Sequence, residues 1–169
     1  VSMEGFPLIV VNHRGSPAFR LSPYQGSENS IKPVISYSYD NEEITPYSWS
    51  VYLDEQQTGV NFGVSHQSAM YQIDFTREEE SYLILNARNG MLKWDGKAIT
   101  GFRSVGNNTR AYLHLLPGKS PQRVFVLDGD KLIDQQQARG GSATLVLKYS
   151  ENAGTINLRY GISFIDEVQ

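Results

Sequence analysis

The sequence predicts an all-β chain, an antiparallel β-sandwich of roughly a dozen or more strands, and three observations carry that expectation. Apolar and polar side chains alternate along most of the chain, which is the period of a strand with one buried face. Turn pairs punctuate the alternation at Asn89-Gly90, Asp95-Gly96, Asp128-Gly129 and Gly140-Gly141. No convincing amphipathic helix is present, and ten Tyr and seven Phe against three Met lean towards strands.

From the N terminus, "FPLIVV", "AFRLS" and "PVISYSY" read as strands. Pro17, Pro23 and Pro33 interrupt them and imply edges or loops, because proline donates nothing to a ladder. "YSWSVYLD" places Tyr47, Trp49, Val51 and Leu53 on one face. "GVNFGVS" does so with Val60, Phe62 and Val64, and "AMYQIDF" with Ala69, Tyr71, Ile73 and Phe75. "TRAYLHL" and "SATLVLKY" continue the pattern. "LIDQQQAR" is the best helical stretch, but it is short, ends at two glycines and reads equally as a loop. The closing strand sets Ile156, Leu158, Tyr160, Ile162 and Phe164 on one face. It then breaks at Asp166 into "DEVQ", which resembles an acidic first helical turn.

At 169 residues the chain fits one domain, residues 1–169, large enough to hold a core without staples. A net charge of -3 provides no basic field for a phosphate backbone, so nucleic acid is set aside as a partner. No apolar run approaches the length of a membrane-spanning helix. The absence of cysteine excludes disulfides and thiol chemistry. The first residue is Val1, so the chain reads as processed or cut.

Catalytic and metal constellations are scarce. His13, His66 and His114 each stand alone, and a surface or strand position explains each better than metal ligation. "DGDKLID" lacks the later oxygen ligands of a calcium loop and reads as a β-turn. "GVSHQ" fails the nucleophile-elbow pattern at Gln67. "TREEESY" reads as a solvated connection between strands. Glu42-Glu43 and Asp54-Glu55 are adjacent pairs that point to opposite faces of a strand. Asn107 heads an "NNT" glycosylation-type motif that matters only in a eukaryotic secretory pathway. Trp49, Trp94, Tyr47, Tyr52, Tyr24, Tyr37 and Tyr39 could stack on sugar rings, although core and cross-strand packing accounts for most of them. Tyr52 faces away from Trp49 and is the one expected to be exposed.

Four stretches together resemble one family. "FRLSPYQG" is similar to a strand entering a Leu-Ser-Pro turn. "YSYDNEEITPYSWSVYLDE" resembles an aromatic-Ser start, Asn-Glu, a Pro-led turn and a strand ending in Leu-Asp. "ITGFRSVGNN" matches an Ile-x-Gly-x-Arg strand, and "YGISFIDEVQ" a closing Gly-Ile-Ser-Phe strand. In order and spacing these resemble the N-terminal β-sandwich domain of the family 92 glycoside hydrolases, the calcium-dependent exo-α-mannosidases. The family's His-x-Phe-Pro-Gly segment is replaced here by "GFPLIVVNHRGSPAF", and only "SENSIKPVIS" fills the region where the family has a longer Trp- and His-containing stretch.

The resemblance implies a non-catalytic domain of an α-1,2-mannosidase-like enzyme, ending where the chain would hand over to a catalytic (α/α)-barrel. It implies that the catalytic acid, the base and any calcium lie in that second domain, with no cofactor in this chain. The expected partners are that domain and, through the whole enzyme, mannoside glycans; the expected location is secreted or periplasmic in a bacterium. His13 and Arg14, in the loop-like "NHRGS", are the candidate substrate-binding pair. The rival from another class is a free-standing carbohydrate-binding module with a row of exposed aromatics. A purely structural surface module is the third reading.

Overall fold

The computed structural model describes residues 2–11, 16–46, 48–64, 68–106 and 108–166. The chain forms β1 (Ser2–Glu4), β2 (Phe6–Val11) and β3 (Ser16–Gln25), then a 3-10 turn (Glu28–Ser30). It continues through β4 (Ser36–Ile44), β5 (Ser48–Leu53), β6 (Thr58–Val64), β7 (Ala69–Phe75) and β8 (Ser81–Trp94). The rest is β9 (Ile99–Gly106), β10 (Thr109–Pro117), β11 (Arg123–Asp128), β12 (Lys131–Ile133), β13 (Gln137–Tyr149) and β14 (Thr155–Asp166). Every pairing is antiparallel, in the order β1-β4-β5-β6-β7-β14-β10-β9-β8-β13-β11-β12, with β3 added to β8 and β2 to β3. The predicted all-β sandwich is what forms.

Two layers arise because β8 serves both. Its residues 81–87 pair with β3 and its residues 90–94 pair with β9 along the same edge, while β13 follows the other edge throughout. The changeover falls at Asn89 (φ 53) and Gly90, opposite Gly140 (φ 137). Here β8 approaches β9 so closely that a Cβ on Gly90 would lie 2.0 Å from the Phe102 carbonyl oxygen, and one on Gly101 2.1 Å from that of Met91. Asn89-Gly90 and Gly140-Gly141 are therefore not turns, contrary to the sequence reading. They are the corner through which two long strands leave one layer for the other. Asp95-Gly96 and Asp128-Gly129 do close hairpins: Asp95 Oδ1 accepts from the amides of Lys97 and Ala98 at 2.8 Å each, and Gly129 (φ 65) turns Asp128 back onto Lys131.

The prolines of β3 sit where that strand has one neighbour. Pro17 pairs with Val10 of β2 before β8 joins at Phe19, and Pro23 pairs with Leu83 of β8 after β2 has ended at Leu21. At each place one edge of the strand is free of a neighbour, which is where a residue without an N–H is tolerated. Pro33 lies in the connection to β4. "LIDQQQAR" holds no helix; it spans the end of β12, a connection and the start of β13.

The core lies between the layers. Val51, Leu53, Val60, Ile73, Phe75, Leu113, Leu115, Ile156 and Leu158 from one side meet Phe6, Phe19, Leu21, Leu83, Leu85, Leu145 and Leu147 from the other. Hydroxyls stitch the seam: Tyr71 donates to the Pro7 carbonyl at 2.6 Å, Tyr160 to that of Leu8 at 2.7 Å, and Tyr37 to that of Pro23. A second apolar cluster (Tyr82, Ile84, Phe125, Leu127, Val146) occupies the outer face of the β8 layer, with Ile31 packed on it. The 3-10 turn is held there by Lys148, whose Nζ lies 2.8 Å from Glu28 and 3.3 Å from Glu80.

Candidate functional site

Among the described residues, one end of the sandwich is open. The inner face of the larger layer stays apolar towards the end where β14 finishes, but it loses its cover there. Along β6 exposure rises from 0% at Val60, through half-buried Phe62, to 60% at Val64. Along β14 it rises from 4% at Tyr160, through half-buried Ile162, to 48% at Phe164. Ile44, opposite Trp49 at the end of β4, is 72% exposed. These residues occupy the inward parity of their strands, so the overhang extends the core face beyond the described residues of the opposing layer.

Within this mouth lies a pocket of about 450 Å³ lined by Met3, Pro7, Leu8, Glu42, Trp49, Phe62 and Tyr71. Its aromatic walls pack on the core: Phe6 lies 5.6 Å from Trp49 and 6.1 Å from Tyr71, and Phe62 lies 4.9 Å from Tyr71, centroid to centroid. Glu42 is its single carboxylate, and it faces inward because of a β-bulge. Tyr39 pairs with Leu53 and Glu42 with Val51, so β4 spends three steps where β5 spends two. The inward set changes from odd (Tyr37, Tyr39) to even (Glu42, Ile44). The carboxylate accepts the indole N–H of Trp49.

The opposite end carries a polar groove lined by residues that include Gln25, Gln56, Arg77, Glu79, Glu80 and Glu151. Its groups hold one another. Arg77 pairs with Glu79, and the Gln25 amide donates to the Arg77 carbonyl and Ser81 Oγ, both at 3.0 Å. "TREEESY" is thus the connection between β7 and β8 that the sequence implies.

His13 and Arg14 lie outside the described residues, as do His66, Gln67, Tyr47 and Asn107. His114 is exposed on β10. Of the stacking candidates, Tyr37 is buried, Trp49, Trp94 and Tyr39 pack on the core, and Tyr24 is partly buried with its hydroxyl on the Ser27 carbonyl. Tyr52 is exposed on the face opposite Trp49, as expected, and the described residues hold no row of exposed aromatics of the kind a platform requires. Glu42 and Glu43 do point to opposite faces, Glu42 towards Val51 and Glu43 opposite Ser50. Sequence reasoning missed the pocket. Its one trace was the change of apolar parity between Tyr39 and Ile44.

The fold and the family agree. The chain resembles solved structures from family 92. It superposes on the α-mannosidase BT3965 of Bacteroides thetaiotaomicron, solved with mannoimidazole, with a TM-score of 0.80 and 16% identity over 96% of this chain and 26% of that one. It matches the inverting mannosidase BT2199 of the same organism with a TM-score of 0.74 and 18% identity, over 88% of this chain and 22% of that one. The family 92 glycosyl hydrolase ccman5 gives a TM-score of 0.69 at 17% identity, over 93% and 25%. The chain therefore spans about a quarter of the length of these enzymes. No curated protein matches it in sequence. The family model described as the glycosyl hydrolase family 92 N-terminal domain matches residues 2–163, and the chain belongs to that family.

Proposed function

We propose that this domain is the non-catalytic N-terminal part of an α-1,2-mannosidase-like glycoside hydrolase. It packs its open end against a catalytic (α/α)-barrel domain and walls part of the sugar-binding cleft. The observation that carries this reading is the apolar overhang of Ile44, Val64 and Phe164 around the pocket mouth, a core face left exposed among the described residues. Exposed apolar surface of this kind, continuous with a core, suits a permanent interface between domains. The 22–26% share of the neighbouring mannosidases that this chain covers leaves room in them for such a partner.

Among the described residues no group of three His, Asp or Glu side chains converges as a calcium site would need, so they do not fit the metal that the family resemblance implies. Calcium, the catalytic acid and the base are assigned to the second domain, and the location to the periplasm or exterior of a bacterium. His13 and Arg14 stay the proposed contribution of this chain to the sugar site. The test is turnover: the purified chain releases no product from aryl α-mannosides, and measurable hydrolysis by it overturns the reading.

A further inference from the structure

The geometry points to the Glu42–Trp49 pocket as a receptor for an alkylguanidinium or alkylammonium group, the side chain of an arginine or lysine presented by the domain that packs on this end. The inference rests on the docking reading above and names what that surface must bring. Glu42 is a carboxylate at the rim of an otherwise apolar pocket. Among the described residues its one hydrogen-bond partner is the Trp49 indole, and no Lys, Arg or His pairs with it. An ionised carboxylate offers about four lone-pair sites, and one neutral N–H fills only one of them.

A partner surface that covers this mouth removes water from Glu42. An uncompensated charge is costly to desolvate, so the covering surface must supply a cation or leave the carboxylate outside the seal. The pocket suits the first course. Trp49, Phe62 and Tyr71 present aromatic surface to an aliphatic stem and a cationic head, an arrangement that attracts guanidinium and ammonium through the ring quadrupole. The bulge turns Glu42 into this space, where uninterrupted alternation from Tyr39 would have kept it on the outer face, as bulges do where a side chain must be re-aimed. A neutral sugar ring would use the aromatic walls and donate hydroxyls to the carboxylate, but it would bring no countercharge.

The experiment uses the chain itself, labelled with 15N. It has two tryptophans, so two indole cross-peaks report the pocket (Trp49) and a remote control (Trp94). N-acetyl-arginine amide is titrated against its neutral isostere N-acetyl-citrulline amide and against methyl α-mannoside. The expected result is a saturable shift of the Trp49 peak with the arginine probe, binding about tenfold weaker with citrulline, and a similar loss in Glu42→Gln, which keeps an acceptor for the indole. No shift with arginine, an equal shift with citrulline, or a response to the mannoside in place of the cation overturns the proposal. The citrulline arm decides even if Glu42→Gln fails to fold. A failed titration leaves the docking of the apolar rim untouched, and a failed docking leaves the titration valid, so the two readings fall separately.

Discussion

A tyrosine hydroxyl contributes most where it reaches a backbone carbonyl that is shielded from water. Tyr71 and Tyr160 do this across the seam, donating to Pro7 and Leu8 of β2, and Tyr149 does it at the closed end, donating to the Lys119 carbonyl at 2.8 Å. Tyr160→Phe leaves the Leu8 carbonyl buried without that partner and is expected to cost about 1–3 kcal/mol, read as a lower denaturation midpoint with an unchanged slope. Burial pushes the phenols of Tyr71, Tyr149 and Tyr160 well above their ordinary value of 10.0. A raised folded value gives stability that is whole below pH 10 and is lost as pH climbs towards the folded value. Alkaline unfolding is therefore expected to begin above pH 10, with tyrosinate absorbance appearing together with loss of the β circular-dichroism signal rather than before it.

Glu28 follows the opposite sign. Its hydrogen bond with Lys148, and the charge of that lysine, hold it below its ordinary 4.5, while the same pair raises Lys148 above 10.5. The contribution of Glu28 is complete above pH 4.5 and fades as pH falls through its lowered value; that of Lys148 is complete below pH 10.5. Both groups are solvent-accessible to different degrees, so Glu28→Gln is expected to lower the melting temperature by only about 2–4 °C at pH 7, with the gap to wild type closing under acid. The sequence revealed Tyr71 and Tyr160 as core positions through their alternation. It could not reveal what their hydroxyls reach, because those carbonyls lie 64 and 152 residues away along the chain.

Elements were legible where one face meets the core and one meets water. The inward sets of β5, β6, β7 and β14 are those the alternation names, from Trp49-Val51-Leu53 to Ile156-Leu158-Tyr160. The corner was not legible, because Asn-Gly and Gly-Gly supply left-handed backbone equally to a two-residue turn and to a strand that must bend. Only the partner strand decides, and at Gly90 the partner is the Phe102 carbonyl. Gly90→Ala is expected to cost about 3 kcal/mol or more, or to prevent folding, since the atom it would meet is backbone and cannot rotate aside. Gly63→Ala, where an added Cβ meets nothing within 4 Å, is the control and should stay within about 0.5 kcal/mol of wild type. The bulge in β4 escaped for a related reason: one extra residue changes no composition, only the parity that follows it.

At the scale of the molecule, the sequence was sufficient for fold class and family, because four ordered motifs and the recurring alternating runs depend on the whole chain rather than on any one loop. The candidate sugar pair His13 and Arg14 lies outside the described residues, and the open mouth emerges only when burial is compared along neighbouring strands. That mouth gives the docking reading its test. The measurement is hydrogen–deuterium exchange on the longer polypeptide that the proposed function calls for, compared with the chain alone. Protection gained at the start of β5, the end of β6 and the end of β14 is the expected result, weakened when Val64 and Phe164 are both replaced by Asp. Unchanged exchange at those three places, or protection gained instead on the outer faces around Tyr52 and Leu116, would contradict docking through the open end.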